Sequence, residues 1–241
     1  MTERADKLLF LSGLVKSRSA AQVLISEGKV FCRGKIVVKP SEQIDTDSEL
    51  TITERPKYVS RGGLKLEGAL EYFQIDVNGD KCVDIGASTG GFTDCLLQHG
   101  AKTVYSIEGG HGQLDKTLLE DERVINIENF NARDLSPDIT NGLCDTVTVD
   151  VSFISQTLLH KNIASVLRPG GKFISLIKPQ FEAGREYIGK HGIARSESYE
   201  YVKKIVTDSA GSFGLDPVGI TDSRITGGDG NKEFTAFFIK R

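Results

Sequence analysis

The chain lacks a long apolar run, a paired-cysteine motif and an overall basic charge, and each absence narrows its function. No stretch reaches the roughly 18 consecutive apolar residues that a membrane-spanning helix needs. The polar start, Met1 to Asp6, is not followed by an apolar core with a small-residue cleavage site, so we expect no secretory signal. No C-x-x-C motif occurs among the four cysteines, which are Cys32, Cys82, Cys95 and Cys144. We therefore expect no metal site and free thiols in a reducing cytoplasm.

The formal net charge is −3, from 30 Lys and Arg against 33 Asp and Glu in 241 residues. A whole-chain value of this sign argues against a nucleic-acid partner, because nucleic-acid binders usually carry a basic excess. The charge is uneven, however. Residues 1–40 hold eight basic and three acidic residues, a net charge of +5, so the remainder carries −8. The basic excess is therefore confined to the head of the chain, where it favours contact with phosphates.

The sequence pattern of residues 1–55, called the head below, predicts a small α+β domain. Leucines recur at helical spacing from Leu8 to Leu14, and a second amphipathic stretch starts at Ala20, with Ser17 or Ser19 as its cap. The expected strands are Lys29–Cys32, Ile36–Val38 and Glu49–Thr53. The predicted division is a domain over 1–55, a linker over 56–60 and a second domain over 61–241.

The second domain alternates apolar strands with amphipathic helices, which predicts a parallel sheet covered on both faces. The expected strands are Cys82–Gly86, Thr103–Glu108, Val124–Ile127, Thr146–Asp150, Lys172–Ile177, Val218–Thr221 and Phe234–Ile239. The expected helices are Thr93–Gln98, Gln113–Glu120, Thr157–Leu167 and Glu197–Phe213. The last two strands form an antiparallel hairpin at one edge of the sheet.

A glycine-rich loop, Gly86–Gly91, follows the first strand of this sheet and precedes a helix that opens at Phe92. Doubly wound folds bind nucleotides at this turn. The spacing is not G-x-G-x-x-G, and Asp84 at the strand end would repel a pyrophosphate, so a cationic ligand such as S-adenosylmethionine fits better than a dinucleotide. Glu108 ends the second strand, where an acid can bind ribose hydroxyls. The alternative is that the glycines only make a tight turn.

Four polar residues stand where loops leave strand ends: Lys65, Asp150, Lys178 and Glu233. Carboxyl ends of neighbouring parallel strands face one crevice, so we expect these side chains to meet beside the glycine loop. Each has a simpler explanation, since a single lysine is usually a solvated charge, Asp150 could cap a helix, and Glu233 could be a hairpin charge.

The order Lys-Asp-Lys-Glu with these flanks resembles the catalytic tetrad of FtsJ-type ribose 2′-O-methyltransferases, and the chain resembles the TlyA or haemolysin A family of rRNA methyltransferases in particular. The segments that carry the resemblance are Val59–Gly63, Asp84–Asp94, Asp150–Ser155 and Lys178–Glu182, with Ser17–Ile25 through Pro40 resembling an S4-type RNA-binding domain. That family usually has Asp where Glu108 stands.

The resemblance implies a Rossmann-like methyltransferase fold, with a seven-stranded, mostly parallel sheet whose last strand is antiparallel, behind a small α+β RNA-binding domain. It implies S-adenosylmethionine as the cofactor and cytidine 2′-hydroxyls of ribosomal RNA as the substrate. Lys178 would accept the hydroxyl proton, Lys65 would orient the hydroxyl with Glu233 behind it, and Asp150 would hold Lys178. The implied donor-binding residues are Asp84, Gly86, Ala87, Ser88, Gly90, Gly91, Phe92, Glu108, Asn131 and Ala132. The expected RNA-binding residues are Arg4, Arg18, Arg33, Lys35 and Arg61. Residues 189–193 resemble the mobile substrate loop of the family.

Three other functions stay open at this point. The name haemolysin suggests a pore-forming protein, against which the missing signal and membrane segment argue. A second possibility is a non-catalytic RNA-binding factor in ribosome assembly. A third is methylation of a small molecule or a protein, which leaves the basic head unexplained.

Overall fold

A computed structural model of the chain describes residues 1–53 and 56–241. The expected domain boundary at residue 55 lies outside the described residues. The chain forms two compact units, Met1–Gly63 and Leu64–Arg241. Among the described residues, no helix combines the length and the apolar character that crossing a bilayer would require.

In its described part, the first unit contains two helices and five short strands before residue 54. Its elements are β1 (Thr2–Arg4), α1 (Ala5–Leu11), α2 (Arg18–Ser26), β2 (Val30–Cys32), β3 (Lys35–Ile36), β4 (Gln43–Asp45) and β5 (Leu50–Ile52). Strands β3, β2 and β5 form one antiparallel sheet, and β1 pairs with β4 in another. Both helices and the expected hairpin are confirmed, and Ser17 caps α2 by accepting a hydrogen bond from the Ala20 N–H at 3.1 Å. The β1–β4 pair was not predicted, because strands of three residues carry no readable alternation.

The helices of this unit are joined by a buried carboxylate. Asp6 is fully buried at the start of α1 and accepts hydrogen bonds from Arg4, Arg18 and Gln22 at 2.8 to 3.1 Å. Burial raises the pKa of Asp6, but the hydrogen bonds from these three side chains outweigh it and hold that pKa well below its usual range. Asp6 is thus kept ionised inside a core built from α1 and α2.

The second unit is a seven-stranded sheet in the order β11-β12-β10-β9-β6-β7-β8. Its strands are β6 (Lys81–Ile85), β7 (Thr103–Ile107), β8 (Val124–Ile127), β9 (Cys144–Val149), β10 (Leu167–Ile177), β11 (Leu215–Asp222) and β12 (Phe234–Lys240). Only β12 runs against the others, pairing antiparallel with β10 and β11. The predicted fold is confirmed, and the chain turns from one half of the sheet to the other between β6 and β9, where such sheets bind ligands.

Helices cover both faces of the sheet. The helices of this unit are α3 (Gly62–Phe73), α4 (Gly91–Gln98), α5 (Lys116–Leu119), α6 (His160–Val166), α7 (Pro179–Glu182) and α8 (Tyr199–Ser212). Val83, Ile85 and Val149 point to the face covered by α6 and α8, whose apolar residues join the same buried core. Side chains alternate along a strand, so Asp84 points to the opposite face, where it meets Thr93 of α4.

The structure corrects several expected elements. Helix α3 was not predicted, because its apolar positions follow a glycine pair that reads as a loop. The expected helix over 113–120 shrinks to four residues, Lys116–Leu119. The expected helix over 157–167 is a short 3-10 turn followed by α6, and Leu167 already starts β10.

The buried His160 predicts that the stability of the second unit depends on pH. Its ring is fully buried, bonds Ser209 Oγ through Nδ1 at 2.9 Å and packs edge-on against Phe173. Burial lowers its pKa from 6.5 to about 4. We expect the contribution of the neutral His160 ring to the free energy of unfolding to be complete above pH 6.5 and to be lost as the pH falls towards 4. The free energy of unfolding, measured with urea, should fall more between pH 7.5 and pH 5 in the wild type than in His160→Gln. His111→Gln, at an exposed position, is the control and should lose as much as the wild type. Equal losses in all three proteins would contradict the prediction.

Candidate active site

A cleft of about 690 Å³ lies at the carboxyl ends of β6, β7 and β9. Clefts of roughly 300 to 1,000 Å³ are typical of small-molecule sites. Its lining comes from the glycine loop, from the segments after β7 and β8, and from the segment after β9. The residues that line it are Ile85, Gly86, Ser88, Ile107, Glu108, Gly109, Gln113, Asn129, Phe130, Asn131, Ala132 and Asp150–Ile154.

The glycine loop and the segment after β9 approach each other at Gly86. Gly86 has φ +81°, and a methyl group on it would lie 2.5 Å from the Asp150 carbonyl oxygen. The Gly86 N–H donates to the Ile107 carbonyl at 2.9 Å, and the Asp150 N–H donates to the Ile85 carbonyl at 3.0 Å. The backbone of the glycine loop at Gly86 therefore contacts the Asp150 backbone directly. Only a residue without a side chain can approach so closely.

Glu108 joins the glycine loop to the segment after β7. Its carboxylate accepts the Ser88 N–H at 2.9 Å and the Gly110 N–H at 2.8 Å, and it faces the cleft. A carboxylate oxygen has lone pairs for more than one donor, so hydroxyl groups in the cleft can still reach it. This is the placement expected for an acid that binds ribose hydroxyls.

Asp84 lies beneath the loop rather than in the cleft. It is fully buried, and its two oxygens accept hydrogen bonds from Thr93 Oγ1 at 2.8 Å and Thr148 Oγ1 at 3.0 Å. Burial raises its pKa to about 7, and the charge on Asp150 adds to that rise. This position differs from the expected direct contact with a cationic ligand, because the strand alternation turns Asp84 towards α4. Any influence of Asp84 on a ligand acts through the loop above it.

Two short ion pairs stand next to the cleft. Lys178 Nζ lies 2.5 Å from Asp150 Oδ1 and 3.0 Å from Ser152 Oγ. Lys65 Nζ lies 2.5 Å from Glu233 Oε2, and the exposed fractions of these two side chains are 9% and 2%. Lysines this deeply buried are rare unless paired, so a solvated surface charge does not describe either one.

The two ion pairs share one electrostatic neighbourhood. Burial raises the pKa of Glu233; Lys65 opposes the rise, Asp150 adds to it and Lys178 opposes it. The other three side chains thus all act on the carboxylate of Glu233. Lys65 reaches this place from the first turn of α3, not from a loop at a strand end as expected. Asp150 directly follows β9, Lys178 directly follows β10, and Glu233 directly precedes β12.

Residues 58–240 match the model of the FtsJ-like methyltransferases, and residues 3–50 match the S4 domain.

The chain belongs to the FtsJ-like methyltransferase family.

Among curated relatives, 16S/23S rRNA (cytidine-2'-O)-methyltransferase TlyA of Mycobacterium tuberculosis is 39% identical over 96% of this chain and 87% of its own length. Hemolysin A of Brachyspira hyodysenteriae is 42% identical over 98% of this chain and 99% of its own length. A solved structure described as "Putative hemolysin from Streptococcus thermophilus" is 45% identical, covers 99% of this chain and 88% of its own, and superposes with a TM-score of 0.78. An S-adenosylmethionine-dependent methyltransferase from Mesorhizobium loti, 14% identical, covers 73% of this chain and 98% of its own with a TM-score of 0.53, and so shares the fold.

The other expected donor-binding residues fall into two groups. Ala87, Gly90, Gly91 and Phe92 are buried and do not line the cleft; Gly90 is the N-cap of α4, and Gly91 and Phe92 are its first residues. Asn131 and Ala132 line the cleft opposite the loop. Asn131 caps the 3-10 turn Ala132–Asp134, because its Oδ1 accepts the Arg133 N–H at 3.1 Å. This cap uses the side-chain oxygen of Asn131 and not its amide nitrogen.

The expected RNA-binding residues differ in how much charge they can offer. Arg4 and Arg18 use guanidinium N–H groups on the buried Asp6 while remaining half-exposed. Arg33, in the turn between β2 and β3, and Lys35, the first residue of β3, are both exposed, and Arg33 has φ +50°. Arg61 is partly buried directly before α3.

Several residues of the site were not singled out from the sequence. Ser152 holds Lys178, and Gln113 Oε1 accepts a hydrogen bond from Ser88 Oγ at 3.3 Å at the cleft rim. Phe153 also lines the cleft, is 87% exposed and has φ +67°. An exposed aromatic directly after a buried strand end is a sequence signal that could have revealed it.

The contact at Gly86 predicts a specific cost for adding a methyl group. Gly86→Ala must accept a left-handed backbone and push against Asp150 O, whereas Gly79→Ala, at φ +76° with open space around it, accepts only the backbone strain. We expect Gly86→Ala to lower the free energy of unfolding by about 1 to 3 kcal/mol more than Gly79→Ala. Equal losses in denaturant titrations would contradict a tight contact between loop and strand end.

Proposed function

We propose that this protein is an S-adenosylmethionine-dependent ribose 2′-O-methyltransferase that acts on cytidine in ribosomal RNA. The observation that carries the proposal is the pair of ion pairs, Lys178–Asp150 and Lys65–Glu233, beside a cleft at the switch point of a methyltransferase fold. Relatives named as rRNA (cytidine-2'-O)-methyltransferases support the substrate class.

The residues of the cleft fit the donor. The backbone at Gly86 forms a cradle that a side chain would fill, Glu108 offers a carboxylate for the ribose hydroxyls, and Asn131 and Ala132 supply the wall on the adenine side. When bound, S-adenosylmethionine supplies an activated methyl group on a sulfonium. The chain itself therefore has to bind and orient both substrates and remove one proton.

Proton removal is assigned to Lys178 in its neutral form: the ammonium that pairs with Asp150 first releases a proton to solvent, and the free amine then takes the proton of the ribose 2′-hydroxyl. Asp150 and Ser152 fix its amine at the mouth of the cleft, in reach of a hydroxyl placed against the donor. Lys65, held by Glu233, orients the same hydroxyl from the other side. Fixed placement of these groups supplies most of the rate, because an intramolecular arrangement avoids the entropy cost of bringing reactants together.

The RNA is bound through the head and the cleft rim. An S4 domain covers residues 3–50, and the exposed Arg33 and Lys35 can meet phosphates. Phe153 presents an exposed ring at the cleft, and unstacked RNA bases stack on such rings. In this proposal residues 1–55 dock the RNA, 56–60 link, and 61–241 methylate, in the cytoplasm where ribosomal RNA is found.

Lys178→Ala tests the catalytic assignment. We expect methyl transfer from labelled S-adenosylmethionine to isolated ribosomal subunits to fall at least about 100-fold, because the proton acceptor is lost. Donor affinity measured by calorimetry should stay within about threefold. The matched control is Lys172→Ala in β10, the strand that Lys178 directly follows; it breaks an ion pair of 2.6 Å with Asp80, which does not line the cleft, and should leave methyl transfer unchanged.

Equal incorporation by Lys178→Ala and the wild type would reject the assignment. Absence of incorporation by the wild type together with RNA binding would favour a non-catalytic assembly factor. Dye release from liposomes would favour the haemolysin reading, and transfer to protein or small molecules but not RNA would favour a different methyltransferase.

The double variant Arg33→Ala/Lys35→Ala tests the RNA interface without disturbing Asp6. We expect the slope of log affinity for ribosomal RNA against log salt to shrink by about 1 to 2, since two phosphate contacts are removed. Donor affinity should not change. Lys161→Ala/Lys204→Ala removes two exposed lysines from α6 and α8 and serves as the charge-matched control. An unchanged salt slope in the first variant would remove this turn from the interface.

A further inference from the structure

A basic loop follows the catalytic Lys178 and α7. We define it as residues 185–195. The loop is closed on itself, because the Arg195 N–H donates to the Tyr187 carbonyl and the Gly189 N–H to the Ile193 carbonyl, both at 2.8 Å. Its exposed side chains are mainly basic: Arg185, Lys190, His191 and Arg195, against Glu186.

One buried side chain from another part of the chain holds this loop. Asn231 is fully buried in the segment before β12. Its Oδ1 accepts the Ala194 N–H at 2.9 Å, and its Nδ2 donates to the Gly192 carbonyl at 3.2 Å and to Asp229 Oδ2 at 2.8 Å. One amide acceptor and both amide hydrogens are therefore used, and two of these three bonds go to the basic loop.

The same segment sets the place of a tetrad residue. Asn231 stands two residues before Glu233, and its carbonyl accepts the Gly227 N–H at 2.9 Å. A methyl group on Gly227 would lie 2.8 Å from Glu233 Oε1 and 2.9 Å from Asp229 Oδ1, so the two carboxylates crowd the same backbone. Asn231 and Glu233 therefore belong to one short segment that packs against the backbone of Gly227.

We propose that Asn231 is a positioning residue that fixes the basic loop relative to Glu233, so that phosphates bound by the loop and the Lys65–Glu233 pair keep a set distance. This inference rests on the proposed function for its RNA ligand. The anchor itself depends only on the hydrogen bonds above.

The sharpest test is N231D, which keeps the volume of the side chain and the acceptor for Ala194. It loses both donors and places a carboxylate against the Gly192 carbonyl and the Asp229 carboxylate. We expect KM for ribosomal RNA to rise and kcat to fall, each about tenfold, because two anchoring hydrogen bonds become repulsive contacts. The dissociation constant of S-adenosylmethionine should stay unchanged, since no donor-binding residue is touched.

A second readout does not depend on activity. Trypsin can cut the loop after Arg185, Lys190 and Arg195 once it opens, so N231D should be cleaved there at least about tenfold faster than the wild type, in proportion to the opened population. N141D, at an exposed turn before β9, makes the same change of charge and should match the wild type in every measurement.

The rescue variant separates positioning from a general loss of structure. In N231D/D229N the donor and the acceptor of the hydrogen bond between residues 229 and 231 are exchanged, so part of the activity and of the trypsin resistance should return. D229N alone completes the double-mutant cycle. If N231D shows no cooperative unfolding, N231S replaces it, since a hydroxyl on a shorter side chain cannot span Ala194 and Gly192 together.

Wild-type cleavage rates in N231D or N231S, or no recovery in the double variant, would overturn the anchor. Faster cleavage with unchanged KM and kcat would overturn the link to catalysis. If the wild type transfers no methyl group, the proposed function fails, while the trypsin comparison still decides whether Asn231 holds the loop.

Discussion

Lysines are almost never fully buried unless they are paired, and the contact between Lys65 and Glu233 is the constraint on which the candidate active site depends. The pair joins the first turn of α3 to the start of β12, two elements at opposite ends of the second unit's sequence. Removing one partner of such a pair leaves an uncompensated charge that costs about 3 to 5 kcal/mol. The same contact therefore ties α3 to the start of β12 and places two of the four candidate catalytic side chains.

The strand ends were predictable from the sequence, and so was much of the chemistry. Asp150 and Lys178 follow long apolar strands, and neighbouring parallel strands bring their carboxyl ends together. Lys65 was misplaced because Gly62 and Gly63 read as a loop although they open a helix, and a helix start depends on packing that a single sequence does not display. The placement of Asp84 could have been derived, since Val83 and Ile85 face one core and period-two alternation sends Asp84 to the other face. Asn231, by contrast, reads as an ordinary turn residue among glycines; only the fold brings residues 192 and 194 to it.

Counting charge along the head overstated what it can offer a nucleic acid. The net +5 of residues 1–40 includes Arg4 and Arg18, whose guanidinium groups satisfy the buried Asp6. A basic residue can thus be part of the core and of a surface at once. The arginines that hold Asp6 contribute to stability, so their replacement mixes folding with binding. The turn at Arg33 and Lys35 is free of that ambiguity.

The position of β12 has a consequence for the timing of assembly during synthesis. This strand comes after all the others in sequence, yet it lies inside the sheet, between β10 and β11. Until it emerges, β10 has an open edge and β11 has no partner in the sheet, and Lys65 has no carboxylate. Chains fold from the N-terminus as they are made, and contacts distant in sequence form late. A nascent chain can therefore present a folded first unit well before Lys65 meets Glu233, so under the proposed function it would bind RNA before it could methylate it.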